Sequence, residues 1–224
     1  MGLNATFSNR ITELIGSDYS SIASESYIDL FNAAISEVVD MLPNQLLLKY
    51  AVDPINLDNS TPTWASVEGK KVLLVMRLEG SGSPGRECKA VSIQDFERAK
   101  DSDSIYEATK HTPVYTYATD AGNTALTIYP TPTAAETVKV YYFAYPSTDN
   151  TGATAIDGLP NEIEQAVILK ACVNILAAYI SDYVQDEEDS EMQTMLLTQQ
   201  KALQGQFQVE MARYTEPGGT PRGE

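Results

Sequence analysis

The sequence predicts an α+β fold: a helical bundle built from N- and C-terminal helices, with an inserted, mainly antiparallel β-domain. Two observations carry this. Apolar residues recur at helical spacing near both ends, whereas the middle is tyrosine-, threonine- and proline-rich with period-two patterning. The change of pattern falls between Ala144-Tyr145-Pro146 and Leu159-Pro160-Asn161-Glu162. The expected division is residues 1–52 (N-terminal helices), 53–150 (β-rich insert), 151–213 (long C-terminal helices) and 214–224 (a glycine- and proline-rich tail).

The first helix is expected over residues 6–15, ending at Gly16, a residue suited to the left-handed position after a helix. Ser24 then caps a second helix, with Glu25 in its first turn. Ile28, Phe31, Ile35, Val38 and Leu42 fall on one face, and Pro43 ends the run. Residues 46–52 are apolar and fit either a strand or a last helical turn.

In the middle, residues 72–78 (VLLVMRL) read as a buried strand between Gly69 and Gly80. Residues 80–85 (GSGSPG) read as a loop, and residues 88–91 as a further strand. Ser92 can cap a short helix over residues 92–100, with Asp95 in the capping-box position, a weaker substitute for glutamate. Residues 114–118 and 126–129 form strands joined through Asp120-Ala121-Gly122-Asn123. Pro130-Thr131-Pro132 breaks the pattern, and residues 138–145 (VKVYYFAY) give the strongest strand signal in the chain. Together these segments predict one small, largely antiparallel sheet.

Residues 149–158 read as a linker. Pro160 suits the start of a helix, and Glu162 and Glu164 suit its positive end. Ile168, Cys172, Ile175 and Tyr179, flanked by Val167, Ala171 and Ala178, make that helix apolar over a wide arc, as a central helix requires. Asp186-Glu187-Glu188-Asp189 marks a turn into a last helix over about residues 187–212, roughly 39 Å long. Its stripe is Met192, Leu196, Leu203, Phe207 and Met211, and its other faces are glutamine-rich.

The formal net charge is −16, which opposes nonspecific binding to nucleic acid or anionic lipid. Residues 1–52 and 53–150 each carry −4, and residues 151–224 carry −8. No apolar run is expected to reach the ~18 residues of a membrane span, and no secretory signal is read at the start, so a cytoplasmic origin is expected. Cys88 and Cys172 read as buried free thiols. Two cysteines and one histidine are too few for a structural zinc site.

Catalytic chemistry finds little support. His111 lies in a loop without a positioned partner in sequence, and Cys88 has no histidine nearby. Residues 186–191 lack the alternating ligands and central glycine of a calcium loop, and cap a helix instead. The glycine-rich loop lacks the lysine of a phosphate cradle. Matches to a myristoylation pattern at residues 1–6, and to glycosylation acceptors at Asn4 and Asn59, are too short to carry weight. Tyr115, Tyr117, Tyr129, Tyr141, Tyr142 and Phe143 could form a stacking platform, but the basic groove it needs is absent; core and interface packing accounts for them better. The expectation is a protein that is not an enzyme and has no cofactor or metal.

Several segments carry a family likeness: Val39-Asp40-Met41-Leu42-Pro43 at a helix end, residues 125–132 (ALTIYPTP), residues 138–146 (VKVYYFAYP), and Leu159-Pro160-Asn161-Glu162-Ile163 opening AVILKA. With the long polar last helix, this order resembles the head-to-tail adaptor proteins of tailed bacteriophages. They are also called connector or head-completion proteins, or tail tubular protein A. The resemblance implies a structural virion protein of the neck, made in the host cytoplasm. It implies a homo-oligomeric ring, usually of twelve copies, docked on the portal protein. Such a ring extends the DNA channel, lets DNA pass without specific binding, joins a downstream tail or nozzle protein and needs no membrane. The family's C-terminal segments reach toward the portal, which here designates Met211, Arg213, Tyr214 and Arg222. Two other readings stand beside it: another neck or tail-completion protein, or an acidic module binding a ligand or glycan.

Overall fold

The structure is a computed structural model. It describes residues 6–16, 24–51, 53–57, 64–79, 85–120, 123–133, 136–148, 156, 158–186 and 190–215. The chain separates into two compact units, Met1–Pro43 with Tyr145–Glu224, and Asn44–Ala144.

The helical unit opens with α1 (Phe7–Ile15). Thr6 Oγ1 accepts the Asn9 amide at its start, and Gly16, at φ 81°, returns its own amide to the Thr12 carbonyl. Phe7, Ile11 and Ile15 are buried, one residue per turn. The second helix, α2 (Ser24–Met41), buries Phe31, Ala34, Ile35, Val38 and Val39, and Leu42 just beyond it.

The β unit begins with a short helix, α3 (Asn44–Leu47), and a 3-10 turn, Leu48–Tyr50. The apolar run at residues 46–52 is therefore helical as far as Tyr50, with Ala51 extended, and Asn44 Nδ2 donates to the Leu73 carbonyl at 3.3 Å. The strands are β1 (Ile55–Leu57), β2 (Trp64–Ser66), β3 (Lys70–Glu79), β4 (Arg86–Glu87), β5 (Lys89–Ala90), β6 (Val114–Asp120), β7 (Asn123–Tyr129) and β8 (Glu136–Ala144). A helix, α4 (Ile93–Ala99), lies between β5 and β6, and Ser92 Oγ accepts the Asp95 amide at its start.

The expectation of one sheet needs correction. Two four-stranded sheets form, ordered β1-β8-β3-β4 and β2-β7-β6-β5. Every pair is antiparallel except β5 with β6, which is parallel. β1 and β2 are three residues long in segments that hold proline, asparagine and aspartate, too short for period two to register. Both sheets supply one core. Leu57, Val75, Val138 and Val140 come from the first, Leu126 and Ile128 from the second, and Val67 and Cys88 join them. A second cluster seats α4 on the second sheet through Phe96, Ala99, Ala108 and Val114. The register of β3 on β8 slips between Val72 and Leu74.

The chain re-enters the helical unit at Tyr145, whose phenol donates to Asp40 of α2. Asn32 then pins the returning chain, donating to the Thr148 carbonyl and accepting its amide, both at 3.0 Å. Two long helices follow, α5 (Asn161–Asp186) and α6 (Ser190–Thr215). α6 runs to Thr215, about three residues beyond the expected end at residue 212, while residues 187–189, where its start was expected, lie outside the described residues. α5 packs against α1, α2 and α6. Ile163, Ala166, Val167, Ile168, Ala171, Cys172, Ile175 and Leu176 are all fully buried, as its wide apolar arc requires. That arc also makes residues 161–181 long and apolar enough to cross a bilayer, which corrects the expectation of no such run; here the segment is the core of the bundle.

Candidate functional site

The residues expected to meet a partner gather where the end of α6 lies along the start of α5. α6 presents Leu196, Leu203, Phe207 and Met211 to the bundle, all buried. Met192, expected in the same stripe, is exposed. Polar side chains fix the register. Gln199 Nε2 donates to the Ile15 carbonyl at 2.7 Å and the Leu14 carbonyl at 3.3 Å, satisfying acceptors at the end of α1. Gln200 reaches the Val173 carbonyl at 3.4 Å. On α5, Lys170 Nζ sits 2.7 Å from Glu37 and 5.9 Å from the Phe207 ring centre. Arg10 of α1 lies 3.1 Å from Glu164 and 3.3 Å from Gln165.

At the end of α6, the Tyr214 phenol donates to the Glu162 main-chain carbonyl and lies 3.2 Å from Glu210 Oε1. Burial, then the Glu210 carboxylate, push its pKa up to about 12. Met211 packs into the bundle. Arg213 is 68% exposed and pairs with Glu210 at 2.6 Å, a geometry that leaves most of its guanidinium facing outward. Beside it runs an open groove of about 440 Å³ between α5 and α6, lined by Gln165, Leu169, Gly205, Gln206, Val209 and Arg213. The structure thus brings Met211, Arg213 and Tyr214 together; Arg222 lies outside the described residues.

The candidate reactive groups are not assembled. Cys88 and Cys172 are buried free thiols, and desolvation pushes their pKa values to about 11 and about 12, so both stay protonated near neutrality. His111 is 54% exposed, with Nδ1 3.6 Å from Glu79 Oε1. Among the described residues no group of three or more histidine, cysteine or carboxylate side chains converges for a metal. Residues 80–84, 187–189, Asn4 and Asn59 lie outside the described residues.

The aromatic residues are divided rather than aligned. Tyr115 and Tyr117 pack edge to face at 5.9 Å, Tyr129 packs on Phe96 of α4 at 6.4 Å, and Phe143 is buried in the other sheet. The buried Arg77, which the sequence reading passed over, is 2% exposed. It is held by Glu136 Oε2 at 2.8 Å and by the carbonyls of Pro130 and Thr131. A charged residue inside an apolar strand run was the signal for it.

A family model described as SU10 adaptor protein matches residues 5–221. The chain belongs to this family of phage head-to-tail adaptors. No curated protein matches the chain at a significant level. The match extends over both units, so the adaptor assignment covers the helical bundle and the β insert alike. This SU10-type adaptor is a phage structural protein of the head–tail junction.

Proposed function

We propose that this adaptor forms a ring of identical copies, docks on the portal, extends the DNA channel and receives the next tail component. The family match over residues 5–221 is the observation that carries this reading. The end of α6 is the portal-facing element. Met211 and Tyr214 hold that end against α5, while Arg213 and Arg222 supply the outward contacts. A platform locked by its own packing loses less freedom on docking.

The charge distribution supports a channel that DNA does not stick to. The helical unit carries nineteen acidic and five basic residues, whereas the β unit carries twelve and ten. An acidic wall repels phosphates and leaves DNA free to slide. A ring whose inner wall is neutral or basic would rule out that part of the reading.

Electron microscopy of the purified chain mixed with the portal protein of its phage tests the whole. The expected image is a ring coaxial with the portal. Binding to a tail component with no affinity for the portal would favour a tail-completion role instead.

A further inference from the structure

We infer that the open edge of β6 receives an extended strand of the tail component, an inference that rests on the adaptor reading above and names the contact by which the next component is held. β6 outruns its neighbour. β5 covers only its start, with Lys89 opposite Val114 and Ala90 opposite Tyr115. The Lys89 amide donates to the Pro113 carbonyl at 2.9 Å, and the Val91 amide to the Tyr115 carbonyl at 3.0 Å. The chain then leaves the sheet, because Ser92 caps α4. Along a strand, the main-chain groups of successive residues point to opposite sides. Tyr115 faces β5, so Tyr117 and Thr119 face the same way, while Thr116 and Ala118 bond to β7 opposite Thr127 and Ala125. The amides and carbonyls of Tyr117 and Thr119 therefore open onto the side that β5 has left. Among the described residues none of these groups has a partner.

This edge is unguarded, and the others are not. Unpaired strand edges invite foreign strands, and folds guard them with charge, proline, bulges or short length. The other edge strands are short: β1 and β2 have three residues, β4 and β5 two. β4 carries Arg86 and Glu87, and β5 carries Lys89. β3 also outruns β4, yet there the Cys88 amide takes the Val75 carbonyl at 2.8 Å and Asn44 takes the Leu73 carbonyl at 3.3 Å. Past Tyr115, β6 has none of these devices. Tyr117, Ala118 and Thr119 bring neither charge nor proline, and the register with β7 runs without a bulge from Val114 to Asp120. Tyr117 and Thr119 are both exposed, and their residue types favour extended backbone.

The chemistry of the edge selects the occupant. Amides and carbonyls at strand spacing match the backbone of an extended segment. Tyr117, packed edge to face on Tyr115 at 5.9 Å, offers that segment an aromatic surface on one face. Ile93, two residues past Val91 and 61% exposed, adds apolar surface where β5 ends. A proline-free segment that alternates apolar and polar residues fits both. The β unit carries twelve acids and ten bases, so it repels a partner of neither sign strongly. A second copy of the chain fits poorly. Its other edge strands are two or three residues long, and β6 against β6 is a two-fold contact that closes a pair of copies, not a ring. The portal is assigned to the end of α6, in the other unit, which leaves this edge to the tail side.

Hydrogen exchange of the full chain, read amide by amide with and without the purified tail component of its phage, tests this. In the free chain the amides of Tyr117 and Thr119 should exchange fast, and those of Thr116 and Ala118 slowly. With the tail component bound, Tyr117 and Thr119 should slow by about tenfold or more. Thr119→Pro removes a donor that the ladder with β7 does not use. It should leave the circular dichroism unchanged and weaken binding of the tail component about tenfold. Thr119→Val keeps the amide and should bind as the wild type does. Should Thr119→Pro misfold, the exchange of the wild type still decides. Binding without protection at these two amides, no binding of the tail component, or protection that rises with the concentration of the chain alone would overturn the strand contact. Ring formation on the portal is imaged separately, so a coaxial ring with an unprotected edge removes this contact and leaves the adaptor reading intact.

Discussion

The phenol of Tyr214, on the last turn of α6, donates a hydrogen bond to the main-chain carbonyl of Glu162, in the first turn of α5. This one contact ties the outgoing end of the bundle to its centre, next to the exposed Arg213. Tyr214→Phe keeps the ring and removes the donor. The expected cost is about 1 kcal/mol, with faster amide exchange confined to the last two turns of α6. Unchanged exchange there would show that Met211 and Phe207 alone hold the helix end.

The buried thiols and phenols predict loss of stability in alkali. Burial raises Cys88 to about 11 from 9.0, Cys172 to about 12 from 9.0, and Tyr115 and Tyr214 to about 12 from 10.0. The unfolded chain releases these protons first. Their contribution is therefore complete below about pH 9 and is lost as pH rises toward about 12, at up to about 1.4 kcal/mol per pH unit for each proton. Urea midpoints should fall steadily from about pH 9 upward, and a flat profile would contradict the burial of these groups. The effect should reach both units, since Cys88 and Tyr115 lie in one and Cys172 and Tyr214 in the other.

Arg77 and Glu136 predict the opposite limb. Glu136 accepts the Thr133 amide, and this bond, reinforced by the Thr133 hydroxyl and Arg77, lowers its pKa. A lowered carboxylate stabilises the fold above its unfolded pKa and loses that contribution as pH falls through the folded value. Glu136→Gln leaves the Arg77 guanidinium buried without its counter-charge. The expected loss is about 3 kcal/mol, at the lower end for a broken buried pair because Glu136 retains some contact with water. The variant should also lose part of the acid-induced destabilisation of the β unit, which a pH series of urea midpoints on both proteins would detect.

The helices were legible in the sequence because their signals are local. Thr12 and Gly16 close α1, Ser92 caps α4, and the wide apolar arc from Val167 to Tyr179 marks a helix that is apolar nearly all round, here the central one. The pairing of strands was not local. β1 binds β8 across more than eighty residues, and the parallel contact of β5 with β6 spans α4. Residues 46–52 were ambiguous because a short apolar run fits either state; Asn44 and the bond to Leu73 resolve it as helix. At the candidate site, the family resemblance designated a segment, and the sequence did not show which of its side chains face outward. Met211 and Tyr214 turn toward α5, and only the packing of α6 separates them from Arg213.

Arg213 gives the prediction closest to function. Its guanidinium is largely in water and its Glu210 partner is one helical turn away, so folding depends on it little. A cation at the C-terminal end of α6 is also favoured by the helix dipole, and the rest of the helical unit is strongly acidic. A portal surface approaching this end therefore meets an exposed guanidinium, paired with Glu210, on a strongly acidic unit. Arg213→Glu should weaken portal docking by about tenfold or more, mostly by slowing association, and more so at low salt. Arg213→Lys should retain much of it, and Lys201→Glu, far up the helix, should matter less. Equal losses for Arg213→Glu and Lys201→Glu would mean that net charge governs the approach and that the end of α6 is not where the portal binds.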